Sequence, residues 1–276
     1  MTTQEGGKPE EKEKKKHEIV RKLTVDLWRT RFHGEKLGIK QHAQHRRDKG
    51  FQWSKDMEPL GEVTENGEKT RLIGIRKKLW EPEKGEPHNT EFERRLILKA
   101  FTQSSWVGTI EELTAIELKN SAAVSKQLPA FLCILSDVDY TILLEQMRTI
   151  YGRTFSFTID SGKREFEPMW LREQRFTLGS DWNVHKSSAK GEKIADIDGK
   201  FLDVGGEWEI KIFDPDLAQN KAFVETLVFF AATLRFQKEI RKKIDQTIKA
   251  IEQEQYQLKI EPQEYDLMKN PRIRRV

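Results

Sequence analysis

Cysteine is nearly absent from this 276-residue chain: Cys133 is the only one. A single thiol excludes an internal disulfide and any cysteine-rich metal site, and it fits a reducing, intracellular and cytoplasmic setting. No apolar run reaches the roughly 20 residues that a membrane-spanning helix needs, so no transmembrane segment is expected. A large excess of one charge is missing too, since 49 Lys and Arg face 45 Asp and Glu for a net charge of +4. That balance excludes a strong polyelectrolyte and leaves a weak preference for acidic partners such as lipid headgroups or nucleic acid. There is no Gly-x-x-x-x-Gly-Lys-Ser/Thr phosphate loop, no serine set in a nucleophile elbow and no repeat at solenoid spacing. No cofactor is called for. His33, His42 and His45 lie close together, but further ligands are lacking nearby and no metal site is assigned.

Charge and aromatic residues are plentiful. Charged residues make up 34% of the chain, above the roughly 25% usual in soluble domains. Apolar residues at 36%, with seven Trp, still permit a core. Residues 1–16 mix Glu, Lys, Gly and Pro without an apolar run and read as a disordered arm. Residues 17–236 read as one domain, clearest from 152 onward, and 237–276 as a helical extension with a basic tail.

The segment from Leu217 to Phe236 says most about architecture. Phe223, Val224, Leu227, Val228, Phe229, Phe230, Ala231, Ala232 and Leu234 surround a helix instead of forming one stripe. A helix that is apolar all round must be enclosed. The region before it supplies candidate walls: Phe155, Phe157 and Ile159 alternate with polar residues, and Trp170-Leu171, Phe176–Leu178, Trp182–His185, Lys193–Ile197, Lys200–Val204 and Trp208–Phe213 follow. Glycines separate several of these short runs, the pattern of an antiparallel sheet or barrel.

The N-terminal half is more mixed. Ile19, Leu23 and Leu27 recur four apart, predicting a helix over 17–28. Asn66-Gly67 marks a hairpin turn. Arg71–Ile75, Arg95–Phe101 and Ala130–Leu135 are strand candidates, while Thr109 to Leu118 and Thr141 to Tyr151 read as helices. The fold class expected is α+β: a mainly antiparallel, barrel-like sheet around a hydrophobic C-terminal helix, with extra helices in the N-terminal half.

Beyond Phe236, Ile240, Ile244, Ile248 and Ile251 line one side of a second helix. The stripe either faces a protein partner or packs back on the helix expected at 17–28. The tail from Pro262 reads as loose.

The runs Phe176–His185, Lys190–Gly199 and Trp208–Phe213, followed by the apolar helix, resemble the second half of the tubby-C-terminal-like superfamily, which includes the LURP-one-related proteins and the phospholipid scramblases. The resemblance implies a β-barrel built around a hydrophobic helix, and a scaffold or membrane-lipid-binding role. For an anionic ligand the sequence itself offers Arg172, Arg175, Lys186, Lys190 and Lys193 near expected turns.

Two other classes stay open. Ser136-Asp137-Val138-Asp139-Tyr140-Thr141 after an apolar strand resembles the Asp-x-Asp-x-Thr signature of haloacid-dehalogenase-type phosphatases. That resemblance implies Asp137 as nucleophile and Asp139 as general acid/base beside Mg²⁺, with Thr158, Lys193 and Asp196 or Asp198 in a permissible order. The basic segment 21–55, with Trp28, Phe32, Phe51 and Trp53, has the phosphate-neutralising and base-stacking groups of a nucleic-acid binder. The reading favoured is a non-catalytic intracellular binding or scaffold protein, contacting anionic phospholipid membranes.

Overall fold

The computed structural model describes residues 18–27, 52–81, 92–160, 165–174, 181–187, 191–200 and 206–269. Among them twelve strands form a closed antiparallel barrel in which each strand pairs with its neighbour in sequence. They are β1 (Arg21–Leu27), β2 (Met57–Glu65), β3 (Glu68–Arg76), β4 (Ile97–Phe101), β5 (Trp106–Glu112), β6 (Ala130–Leu135), β7 (Ile142–Met147), β8 (Thr154–Asp160), β9 (Phe166–Glu173), β10 (Trp182–Lys186), β11 (Lys193–Gly199) and β12 (Glu207–Ile212). The circuit closes where β1 lies against β12, with Leu23 opposite Ile210 and Val25 opposite Trp208.

The alternation of side chains sets the inside and outside of the wall. Leu23, Val25 and Leu27 of β1, Phe155, Phe157 and Ile159 of β8, and Trp208, Ile210 and Ile212 of β12 are all buried. Closure pairs every strand on both sides and removes the open edges that invite aggregation. The β2–β3 hairpin turns on Asn66 and Gly67, at φ 54° and 81°. Positive φ at both positions matches the right-handed twist of the flanking strands.

Six helices complete the described chain: α1 (Lys77–Trp80), α2 (Thr114–Ala122), α3 (Pro215–Gln219), α4 (Lys221–Leu234), α5 (Gln237–Glu252) and α6 (Pro262–Met268). Since neighbouring strands run in opposite directions, their connections divide between two ends. The β2–β3, β4–β5, β6–β7, β8–β9 and β10–β11 connections share one end with α3. The opposite end, which we call the cap end, carries α1, α2 and the β7–β8 turn.

Residues 217–236 form two helices, not the single one expected. Asp214 caps α3 by accepting from the backbone N–H groups of Asp216 and Leu217, both at 3.0 Å. Asn220 then adopts an extended backbone and caps α4 through the Phe223 N–H. Every side chain of α4 from Ala222 to Thr233 is buried. Phe230 meets Phe155 of β8 at 5.1 Å and Trp182 of β10 at 5.0 Å between ring centroids. Phe223 stacks on Phe157, and Phe229 lies against Gly108 of β5, where a Cβ would come within 3.1 Å of its ring. Further contacts reach β1, β6 and β12. Lys221 pairs with Asp137 in the β6–β7 connection, and Phe236 packs edge-on against Trp80 of α1. One end of α4 thus lies by the β6–β7 connection, and the residue pair Phe236–Trp80 lies at the cap end.

Glu225 is the charged exception on the buried face of α4. Arg71 of β3 meets it through Nε at 2.9 and 3.0 Å and through Nη2 at 2.5 Å. Burial of this carboxylate is tolerable because the guanidinium satisfies both of its oxygens.

Three N-terminal expectations are corrected. Residues 21–27 and 142–147 are strands, not helices, and the strand β5 occupies 106–112 before α2 begins at Thr114. The segment 262–268, read as loose, is the helix α6.

Candidate functional site

The expected anionic-ligand residues fall in different environments. Arg172 is exposed on the outer face of β9, stacked over the Trp170 ring at 4.5 Å. Lys186 pairs with Asp214 at 2.6 Å, and Lys193 with Asp196 at 2.6 Å. Burial alone would lower Lys186, but Asp214 outweighs it and holds the ammonium above its usual pKa. Arg175 and Lys190 lie outside the described residues. The structure thus leaves Arg172 open to solvent and engages Lys186 and Lys193 with carboxylates.

The isoleucine stripe does not form an open partner face. Ile240 and Ile244 are completely buried, Ile248 packs partly buried against the same core, and Ile251 is exposed. The stripe lies on the cap end, where α5 packs against α2. Packing back on a helix over 17–28 does not occur, because residues 21–27 of that segment are β1.

The phosphatase geometry is also corrected. Its fold needs a parallel sheet, whereas β6 and β7 form an antiparallel hairpin with Cys133 opposite Ile142. Asp137 sits in the connecting turn at φ 60°, with its side chain 83% exposed and its carboxylate 2.7 Å from Lys221 Nζ. That contact and the hydrogen bond with it hold Asp137 below the usual carboxylate range. Asp139 is exposed in the same turn. Two solvated carboxylates on a surface turn lack the desolvated setting of a Mg²⁺-dependent nucleophile. Cys133 is buried in β6, and burial raises its thiol pKa far beyond the reactive range.

Of the basic segment, residues 28–51, including Trp28, Phe32, Phe51 and the three histidines, lie outside the described residues. Trp53 is buried on the outside of the wall, 5.1 Å from Phe101, and is not free to stack on a base. Arg21 is tied to Glu65 at 2.7 Å and to the Ala218 carbonyl at 2.6 Å, while Lys22 pairs with Glu209.

Sequence reasoning missed a buried ion cluster at the cap end. Lys243 of α5 is fully buried, with Nζ 2.5 Å from Glu112 Oε1 and 3.1 Å from Glu117 Oε1. Glu112 also accepts from the Leu96 N–H at 2.8 Å. Glu117 makes no aligned side-chain hydrogen bond among the described residues. Burial first, then the negative charge of Glu112, pushes Glu117 well above the usual carboxylate range. Two acids thus share one ammonium. Burial would lower Lys243, but the two carboxyl groups overcome it and raise it.

Arg95 carries the cluster outward. Its Nη2 meets Glu111 at 2.7 Å, its Nη1 meets Glu261 at 2.8 Å, and its Nε donates to the Glu112 carbonyl at 2.7 Å. Glu264 of α6 stands 3.6 Å from Arg95 Nε and accepts from the Ala115 N–H of α2 at 2.9 Å. The cluster joins β5, α2, α5 and α6, so it holds the C-terminal helices onto the barrel. A signal for it exists in the sequence: Lys243 lies three residues after Ile240 and directly before Ile244, on the buried stripe of α5.

Comparison with family models, curated proteins and solved structures returns no match. The described residues contain no His, Cys, Asp and Glu grouping able to hold a metal ion, and no helix among them is long and apolar enough to cross a membrane.

Proposed function

We propose that this chain is a non-catalytic binding protein of tubby-like type, built around α4, that works through its outer surface at anionic phospholipid membranes. The observation that supports this reading is the occupancy of the barrel. Phe223, Leu227 and Phe230 have no exposed surface, and their neighbours lie on strands around the circuit. A barrel filled by its own helix offers its outside to a partner, unlike small barrels that hold a ligand within.

The barrel carries many cations, but Lys22, Lys69, Lys186, Lys193 and Lys211 are each within ion-pair distance of a carboxylate. Arg172 is not among these pairs and is the basic residue from the sequence that suits a headgroup phosphate. The test is co-sedimentation of the full chain with vesicles of phosphatidylserine and phosphatidylcholine. Binding that weakens with salt and is absent on pure phosphatidylcholine is the expected result. Equal binding to neutral vesicles, or none to anionic vesicles at low salt, rejects the membrane role.

A further inference from the structure

The most exposed large apolar residues of the described chain sit side by side at the cap end. Ile150 is 85% exposed and Tyr151 is 75% exposed, both in the β7–β8 turn. The turn has a defined shape: Gly152 takes φ 70°, and the Thr149 hydroxyl donates to the Gly152 carbonyl at 2.7 Å. Lys126, in the connection after α2, donates from Nζ to the Thr149 carbonyl at 2.8 Å. The ammonium is therefore held at the base of the apolar tip. Arg148, two residues before Ile150, is exposed.

The apolar surface continues onto the wall. Met147 is 40% exposed on the outer face of β7. It pairs with Thr154 of β8, which pairs with Arg172 of β9. Two strand spacings of about 4.8 Å separate Met147 from Arg172, so Arg172 lies about 10 Å from Met147 on the same outer face. Among the described residues, no carboxylate stands within ion-pair distance of Lys126, Arg148 or Arg172. The nearby acids are engaged elsewhere: Glu145 accepts from Asn120, and Glu173 is bound by Arg153.

We propose that this corner is the membrane-contacting surface, with Ile150 and Tyr151 entering the interface of an anionic bilayer while Lys126, Arg148 and Arg172 meet lipid phosphates. The proposal rests on the membrane reading above and assigns it a site. Charge complementarity selects this occupant. An apolar tip with Lys126 at its base, Arg148 beside it in sequence and Arg172 on the adjoining wall, none within ion-pair distance of a described carboxylate, matches a surface that is apolar below and negatively charged above. An aromatic residue with a polar end suits the depth of the headgroups.

The experiment compares the full chain with three variants on phosphatidylserine-containing vesicles. Ile150→Asp/Tyr151→Asp is expected to weaken binding at least tenfold, because it removes both inserting side chains and adds negative charge. Lys126→Glu/Arg148→Glu is expected to weaken it by about fivefold or more per residue. Lys69→Glu, on the β2–β3 hairpin at the opposite end, is expected to change binding little. A second readout tracks insertion: an environment-sensitive dye on Tyr151→Cys shifts to the blue with anionic vesicles, while the same dye on Glu68→Cys does not. Buried Cys133 is protected from labelling in the folded chain. If the parent chain binds and the tip variants bind equally well, this site is overturned and the membrane reading stands. If the parent chain binds no vesicle, both fall. A dimer that the tip substitutions dissociate without vesicles would assign the surface to a second copy of the chain and overturn the site.

Discussion

Lys243 of α5 and Glu112 of β5 form a fully buried ion pair, with Nζ 2.5 Å from Oε1. The residues are 131 positions apart, and their contact fixes α5 to the barrel wall. Such a pair need not stabilise more than an apolar pair of the same shape, but removing one member leaves the other stranded. Lys243→Met strands Glu112 and is expected to cost about 3–5 kcal/mol. Glu117→Gln keeps the side chain's shape and leaves the Lys243–Glu112 contact in place, and is expected to cost less than about 1 kcal/mol. Urea unfolding of the two variants measures the difference. Equal losses would mean that Glu117 does as much as Glu112 to hold the Lys243 ammonium.

The same site sets a pH dependence. The raised pKa of Glu117 means that the folded chain keeps a proton which the unfolded chain releases near its ordinary value of 4.5. The unfolded state then holds fewer protons, so stability falls as pH rises. The contribution is complete below pH 4.5 and is lost as pH climbs through the folded-state pKa, at about 1.4 kcal/mol per unit while the window lasts. Asp56, Asp214 and Glu209 have lowered pKa values, so their contributions vanish on the acid side instead. Urea titrations from pH 4.5 to neutrality are expected to show a decline in the parent chain that is smaller in Glu117→Gln. An unchanged slope in the variant would remove Glu117 as its source.

The burial of α4 was legible because apolar residues on every side of a helix admit few placements. The Asn66-Gly67 hairpin was legible because only a few residues accept positive φ in succession. β1 was misread for a simple reason. A four-residue repeat is one turn of helix but also two periods of a strand, and Leu23 and Leu27 satisfy both; buried Val25 between them is the discriminating residue. β7 was misread because Leu143 and Met147 are apolar yet exposed on the outer face, which blurs the alternation of Ile142 and Leu144. Lys243 on the isoleucine stripe was the one signal of the ion cluster; its acidic members were not legible, because they come from distant segments and 94 charged residues, 49 basic and 45 acidic, surround them in the sequence. The isoleucine stripe was legible as the apolar face of a helix but was assigned to a partner or to residues 17–28, because periodicity does not say which surface covers it.

Phe230 offers the direct test of the filled barrel. Its ring contacts Phe155 and Trp182 on separate strands. Phe230→Ala removes the ring from a fully buried position and is expected to cost about 3–5 kcal/mol. Phe230→Leu keeps much of the volume and is expected to cost less. Chemical denaturation of both variants checks the ranking. A loss under about 1 kcal/mol for the alanine variant would mean that α4 does not carry the interior packing.

Arg95 governs the docking of α6. It is buried and touches Glu111, Glu261 and Glu264 at once. Arg95→Met is expected to lower global stability and to release α6 first, since α6 is short and its capping residue Glu261 loses a partner. Hydrogen exchange measures this segment by segment. Amides of 262–268 are expected to lose protection more than those of α4. Uniform loss across both helices would show that the cap and the barrel unfold as one unit.

The Arg71–Glu225 pair separates the value of a charge from the cost of orphaning it. Glu225 is buried in α4, and Arg71 grips both of its oxygens from β3. Glu225→Leu leaves the Arg71 guanidinium with only the Thr70 hydroxyl at 2.8 Å and Glu65 at 4.0 Å, and Arg71→Leu leaves the buried Glu225 carboxylate without its guanidinium. Each is expected to cost about 3–5 kcal/mol. The double variant removes both charges and adds apolar volume, so it is expected to recover most of that loss. A double-mutant cycle by urea unfolding gives the coupling directly. Additive losses would mean that the two groups gain nothing from each other and that water reaches Glu225 along α4.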